Sequence, residues 1–537
     1  MMDTKVPVSR RALLGGVAAA ATVSAFGLPT PAEAAPVLGG KMIYARYADS
    51  QRLDPVFTEL NVDIWVMNNL FDTLLLPTPD GKGLKEGLAT KWELSDGGKT
   101  VTLTVREGVK FADGTPMTMA DVKFSLERAM NPKNGSWNSM VASVASVEGT
   151  EPATVVLKLK HPDPTLLAAL AMFNTSVLPK AMYDKIPGKD DDEKGKIFGQ
   201  KPMGTGAFYV SDWKIGEVMW LKKNPYYWKK DAAGVQLPYL DEVEMPVIPD
   251  DATRLLKLKA GEVHGTEFIP YARVKELQGD ANLRMELWPS TKVTYIQFNC
   301  RPEYKGKPNP LSNVKVRQAL NYAVNKDAII AITTHGLGKP LSSFMSSVTP
   351  LHTGSGPVYP YDPAKAKALL AEAGFAKGLE ITCHALSGNQ DDQNNLTTIQ
   401  QMLAQVGVKF TIEQMDNASR VAAYRKGDFQ SRTAYWTDDI ADPSEITSYF
   451  VYSPTVDCLH TGWKSEEADK LFVASQEEVD PAKRAAEYAK MQDIFNHTGP
   501  TMPLYETPYP VAFRKNAKGF VQIPLGNNYF EAAYVEK

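Results

Sequence analysis

The segment GLATKWELSDGGKTVTLTVREGVKFADGTPMTMADVKFSLERAM, residues 87–130, holds a hairpin, a strand and a helix start in close succession. Asp96-Gly97-Gly98 is a hairpin turn, since glycine reaches positive φ without steric cost. Val101, Leu103 and Val105 alternate with Thr102 and Thr104, as in a half-buried strand. Phe111 to Pro116 contains a second turn. Thr118 and Asp121 stand at capping-box spacing and open a helix with Val122, Leu126 and Ala129 on one face.

The same signals recur outward from there. Gly40 to Ala45 opens a strand, Leu53-Asp54-Pro55 turns it, and Val56 to Glu59 leads into a helix-like run through Trp65 to Phe71. Gly204-Thr205-Gly206 is a tight turn before the strand Ala207 to Val210, because no G-x-G-x-x-G is completed. Asp251 to Lys259 is a helix stopped by Gly261. Val293 to Asn299 is a strand. Ser312 is expected to cap a helix carrying Val316, Leu320 and Ala323. Asp362-Pro363 opens another, ended by Gly374. Leu396, Ile399, Leu403 and Val406 form a helical stripe, followed by the alternating strand Val408, Phe410, Ile412. Helices alternating with strands between Leu311 and Ile412 imply an α/β domain with both sheet faces covered. The region before Pro289 is richer in turns and short strands. The tail from Thr498 reads as loop-like and aromatic.

At 537 residues the chain is too long for one core. Its 43% hydrophobic and 23% charged content is that of a soluble globular protein, and a net charge of −3 gives no nucleic-acid footprint. Residues 1–34 read as a leader. Ser9-Arg10-Arg11-Ala12-Leu13-Leu14 is a twin-arginine pattern, an uncharged Ala/Gly-rich segment follows, and Ala32-Glu33-Ala34 has the form of a cleavage site. Removing them takes away three basic and two acidic side chains, leaving 56 against 60. Cys300, Cys383 and Cys458 match no zinc spacing and read as buried, inert thiols. The sequence contains no Walker A, H-E-x-x-H or G-x-S-x-G motif, and its seven histidines form no pair at ligand spacing. Neither an enzyme nor a metal or cofactor site is expected.

Seven segments in order carry a family resemblance: LFDTLL (70–75), residues 87–130, MGTGAFYVSDWKIGE (203–217), KKNPYYW (222–228), VKVRQALNYAVNKDAII (314–330), YDPAKAKALLAEAGF (361–375) and VGVKF (406–410). Each alone is mostly turns and caps. Together the chain resembles the family 5 solute-binding proteins of ABC transporters, the class with dipeptide-, oligopeptide- and nickel-binding members. The resemblance implies an α/β, two-lobed periplasmic-binding-protein fold with a subdomain inserted in the first lobe. By analogy lobe one is 35–78, 200–292 and 505–537, the insertion is 79–199, and lobe two is 293–504. Hinges are expected near Thr294–Asn299 and Pro503–Thr507. It also implies a protein, expected to be a monomer, that binds a small peptide or related solute and docks on a permease with its ATPase subunits, and the leader points to the periplasm or the outer cell surface.

The ligand reading centres on Trp436-Thr437-Asp438-Asp439-Ile440-Ala441-Asp442-Pro443. Taken alone it is a solvated turn before a helix, or a carboxylate facing a cation above Trp436. Peptide-binding members often have the form W-x-x-D-x-x-[DE]-P and hold the peptide amine on that first Asp. The resemblance therefore implies that Asp439 anchors an amine beside Trp436, while Asp438 reads as solvated and Asp442, before Pro443, as a turn residue. By position after Leu53-Asp54-Pro55, Phe57, Thr58 and Glu59 should come from lobe one. Dipeptide-binding members clamp the ligand carboxylate with an Arg where this chain has Leu386. His384 is the nearby cation, pH-dependent and weaker. Longer peptides or another amine-bearing solute therefore fit better than a strict dipeptide. A nickel chelate, an opine or an oligosaccharide remains open, because the fold does not fix the ligand.

Overall fold

The computed structural model describes residues 35–354 and 358–537, so the expected leader lies outside the described residues. Two large sheets dominate. A seven-stranded mixed sheet has the order Leu283–Trp288, Tyr509–Arg514, Gly265–Thr266, Lys41–Ala45, Glu242–Pro246, Val218–Lys223, Phe208–Lys214. A six-stranded sheet has the order Lys339–Pro340, Thr501–Glu506, Val293–Phe298, Ser431–Trp436, Leu379–Leu386, Val408–Met415. The chain passes from the first to the second at 289–292 and back at 507–508. The segments expected as hinges lie mostly within the strands Val293–Phe298 and Thr501–Glu506.

Every residue of Val293–Phe298 is buried. Val293 and Tyr295 join a core with Ile446, Phe450 and Phe495, whereas Ile296 and Phe298 join another with Val316, Leu320, Leu396 and Ile399. Alternate side chains thus serve two cores, one on each face of the sheet. The helices Val314–Tyr322, Pro363–Glu372 and Gln390–Ala404 cover one face, as the alternation of elements implies.

The segment 87–130 forms the hairpin Ala89–Ser95 and Thr100–Val105, with Asp96, Gly97 and Gly98 all at positive φ. The hairpin belongs to a four-stranded sheet completed by Thr154–Leu159 and Val144–Thr150. The helix Met119–Met130 starts with a complete Thr118–Asp121 capping box. From it Arg128 reaches Asp54 with two bonds of 2.8 and 3.1 Å, which fixes the Asp54-Pro55 turn.

Three expectations need correction. The cap of Val314–Tyr322 is Asn313, whose side chain takes the Lys315 N–H, while Ser312 ends a short 3-10 turn. The tail is no loop, since Thr501–Glu506 and Tyr509–Arg514 are interior strands of the two sheets. Proline disguised them. Pro503 is tolerated because the register against Val293–Phe298 shifts beside it. The three thiols are free, and burial pushes Cys300 up to about 11 and Cys383 to about 12, but Cys300 is only half-buried.

Candidate ligand-binding site

Ser431–Trp436 runs between Val293–Phe298 and Leu379–Leu386. Past its end the acidic loop is pinned from several directions. The Asp438 N–H donates to Thr291 Oγ1 at 2.9 Å, and the Asp439 N–H donates to Glu445 Oε2 at 2.8 Å. Thr437 Oγ1 meets the Tyr509 hydroxyl. Asp442 takes the Ser444 N–H and forms a two-pronged pair with Arg484 at 2.8 and 2.9 Å, so it anchors the turn. Asp438 is not solvated as expected. It is 1% exposed and accepts from Thr349 Oγ1 at 2.6 Å, a partner from a distant part of the chain.

Asp438, Asp439 and Glu445 are thus three buried acids in one cluster, and among the described residues none has a cationic partner. Burial raises Asp438 to about 7 and raises Asp439 well above the carboxylate range, with the Asp438 charge adding to it. Glu445 rises for the same reasons, burial first and then Asp439. Burial and mutual repulsion thus disfavour the ionised forms of these acids, and a cation arriving beside them would favour ionisation.

Asp439, Trp436 and Glu59 line one cavity of about 100 Å³. Its aromatic wall is Trp137 and Trp436, which packs against Tyr449 at 5.1 Å between ring centroids, and Trp436 Nε1 has no hydrogen-bond partner. Glu59 enters through a close approach of backbones. Gly135, at φ 68, lies so near Val56 that a Cβ there would sit 1.8 Å from the Val56 carbonyl oxygen. That approach lets Ser136 Oγ donate to Glu59 Oε1 at 3.0 Å and Trp137 Nε1 donate to the Thr58 carbonyl at 2.8 Å. Burial raises Glu59, but His460 at 3.5 Å and the Arg425 charge outweigh it and hold the carboxyl below its ordinary value.

Phe57 and Thr58 are not brought to the cavity. The Phe57 ring lies under the Arg52 guanidinium at 4.1 Å and near Arg128, and Thr58 spends its hydroxyl on Asp63 at 2.6 Å. His384 is also elsewhere. It is buried with Nε2 3.6 Å from Glu413, and burial lowers its pKa.

Sequence reading missed the basic residues. Arg420 and Arg432 line the same cavity as Asp439. An adjoining cavity shares Tyr47, Arg420, Ala434 and Tyr435 with the first, and is lined further by Leu386, Lys292 and Asp391. Lys292 is buried among Phe268, Tyr435 and Tyr509, and burial lowers it to about 8 against the raising charges of Asp391 and Asp392. The only visible signal was Arg432 inside a strand whose other inward positions are apolar.

Both sheets contribute to these walls. Tyr47 follows the strand Lys41–Ala45, and its hydroxyl lies 3.1 Å from that of Tyr435. Farther along, the Gln390 N–H donates to Asp251 Oδ2 at 2.9 Å. A ligand here would be touched from both sides, with carboxylates at one end and guanidinium groups facing the same space.

The family model for bacterial extracellular solute-binding proteins, family 5 (middle part), matches residues 83–457. The chain belongs to family 5 of these solute-binding proteins. This family 5 protein is 31% identical over 512 residues to the glutathione-binding protein GsiB of Salmonella typhimurium, covering 94% of this chain and 96% of the relative. Among solved structures it resembles the ABC transporter-associated periplasmic binding protein DppA from Helicobacter pylori in complex with the peptide STSA. That match has 26% identity and a TM-score of 0.83, covering 93% of this chain and 99% of the other. It also resembles the binding protein AgaA from A. tumefaciens R10 in complex with agropinic acid, with 27% identity, a TM-score of 0.79, and coverage of 93% and 99%. The fold is accordingly the two-lobed α/β fold of periplasmic binding proteins, and the relatives are binding proteins of transporters.

Proposed function

We propose that this family 5 protein is the substrate-binding component of an ABC importer, capturing a small peptide or related amine-bearing solute between its lobes. The observation that carries this reading is Asp439, buried beside Trp436 in an acid cluster that has no cation among the described residues. A ligand ammonium would supply the missing charge, and the aromatic wall would flank it. The glutathione- and peptide-binding relatives support the class. A neutral oligosaccharide brings no cation and would leave the cluster uncompensated.

In this reading lobe one is 35–78, 200–292 and 505–537, with 79–199 inserted, and lobe two is 293–504. The ligand shifts an open–closed equilibrium because only the closed form touches it from both lobes. The closed monomer then docks on its permease, whose ATPase subunits drive import, and it performs no chemistry on the solute. Residues 1–34 carry it to the periplasm through the twin-arginine route.

The test is mass spectrometry of the ligand that co-purifies from the periplasm, followed by calorimetry with glutathione and with the tetrapeptide Ser-Thr-Ser-Ala. An amine-bearing solute is expected to elute unchanged. An eluted sugar without an amine would sink the reading.

A further inference from the structure

Four successive residues, Asp457, Cys458, Leu459 and His460, have φ of 53°, 46°, 57° and 56°. Residues other than glycine enter this left-handed region singly, because Cβ crowds the following carbonyl, so a run of four is costly. Such a run persists only where its surroundings hold it. Arg301 spans it, donating Nη1 to the His460 carbonyl and Nη2 to Asp457 Oδ2, both at 2.8 Å. Gln297 Nε2 donates to the Leu459 carbonyl, and Thr461 Oγ1 donates to the Cys458 carbonyl at 2.6 Å. Arg301 is itself packed between two glycines. A Cβ on Gly462 would sit 2.7 Å from Arg301 Cγ, and one on Gly427 would sit 2.6 Å from its Nη1.

The run reaches the solute cavity. Leu459 lines that cavity, and His460 Nε2 faces Glu59 Oε2 at 3.5 Å. Both atoms are buried and neither has a hydrogen-bond partner, so they meet without a formed bond. Glu59 precedes the helix Asn61–Leu70, in lobe one of the division proposed above, and His460 lies in lobe two. A proton on Nε2 satisfies both atoms, and the imidazolium adds a charge that neutral imidazole lacks. Right-handed φ at His460 would redirect its Cα–Cβ bond and take the ring off Glu59.

The other charged or titratable groups facing the pair are Tyr424 and Arg425 on the helix Asn417–Lys426 and Tyr449 on the helix Ser444–Phe450. Arg432 lies beyond Tyr424, and Arg301 and Asp457 lie behind the His460 carbonyl. Burial pushes both tyrosines well above their ordinary value, and guanidinium groups keep their charge, so neither kind titrates near neutral pH. Burial raises Glu59, but His460 and Arg425 outweigh it, so Glu59 stays a carboxylate there.

We propose that His460 is a positioning residue for solute capture: the left-handed turn clamped by Arg301 presents it to Glu59, and the imidazolium–carboxylate pair latches the closed form beside the cavity. This rests on the cavity being the solute site. The pair acts on closure rather than on any one group of the ligand. It raises the fraction of protein in the closed form, and apparent affinity rises with that fraction. The latch is present while the imidazole is protonated and is lost as pH rises through its titration.

The test is calorimetry on the mature protein with glutathione and with Ser-Thr-Ser-Ala, at pH 5.5 and pH 8, for wild type and His460→Gln. The ratio of the two affinities at each pH cancels the acid cluster and the peptide amine, which titrate in both proteins. Wild type is expected to bind about three- to tenfold more tightly than the variant at pH 5.5, and within about twofold of it at pH 8. Glu59→Gln should reproduce the loss, and the double variant should bind no worse than either single one. Arg301→Met, which frees the turn, should also lose the pH dependence. If His460→Gln does not fold, Glu59→Gln takes its place in each comparison. An affinity ratio equal at the two pH values would overturn the latch, because a merely structural histidine lowers affinity alike at both. Small-angle scattering needs no ligand: free wild type should have a smaller radius of gyration at pH 5.5 than at pH 8, and His460→Gln the same radius at both. If neither probe binds, the peptide reading falls and scattering decides the latch alone, which identical wild-type radii at the two pH values would overturn.

Discussion

The hydroxyls of Tyr47 and Tyr435 meet at 3.1 Å, one following a strand of the seven-stranded sheet, the other on a strand of the six-stranded sheet. Each residue lines both cavities, so the bond spans the space where the ligand is expected. It exists only while the two sheets are close. Tyr435→Phe removes it and leaves the Tyr47 hydroxyl buried without that partner. A net hydrogen bond of about 0.5–1.5 kcal/mol predicts a two- to tenfold loss of ligand affinity. Small-angle scattering should show compaction of the wild type on ligand addition, and less of it in the variant at equal ligand concentration. An unchanged radius of gyration under saturating ligand would count against closure.

Asp439→Asn separates the amine anchor from the fold. The carboxyl group sits in a crowded acid cluster, and its neighbour Glu445 gains from its loss. The variant should therefore melt no lower than the wild type. Its affinity for an amine-bearing peptide should fall at least about thirtyfold, because truncating one partner of a buried charge pair costs about 2–5 kcal/mol. N-acetylation of the peptide should have the same effect on wild type and little further effect on the variant. Equal binding of acetylated and free peptide would remove Asp439 from the site.

What the sequence made legible was local. The 96–98 hairpin, the Thr118 capping box and the Gly261 and Gly374 helix stops depend on neighbouring residues alone, and each is present. The strands Thr501–Glu506 and Tyr509–Arg514 were missed because Pro503 and Pro510 argue against interior strands, while a register shift and long-range pairing accommodate them. Asp438 looked solvated because its shield comes from Thr349 and Thr291, 89 and 147 positions away. Phe57 looked available because only the fold brings Arg52 and Arg128 onto its ring. Arg420 and Arg432 carried no local signal, because only the fold brings a helix and a strand together to wall one cavity.

Export is tested on the leader. Arg10→Lys together with Arg11→Lys keeps the charge but removes the arginine pair that precedes the apolar run. Periplasmic protein, measured by fractionation, should drop to background if the twin-arginine route is used. Undiminished periplasmic protein would assign export to the general secretory route.

The acid cluster also predicts that ligand binding releases protons. Burial raises Asp438 from 3.8 to about 7, so in the folded, ligand-free protein the cluster retains protons that the unfolded chain has lost. Its stabilising protonated form is fully present below the unfolded value, and the contribution declines as pH rises from about 4 toward 7. An ammonium docked on Asp439 favours the ionised form and reverses this, so protons leave as the ligand arrives. Affinity should then increase from pH 5 to about 7 and level off as the peptide amine itself deprotonates near pH 8. Calorimetry at pH 6 in buffers of different ionisation enthalpy checks the sign, since proton release makes the observed heat depend on the buffer. The dependence should shrink in Asp439→Asn, where less negative charge is left to neutralise. A binding enthalpy independent of buffer at pH 6 would mean that the cluster is already ionised before the ligand binds, and that Asp439 waits as a carboxylate.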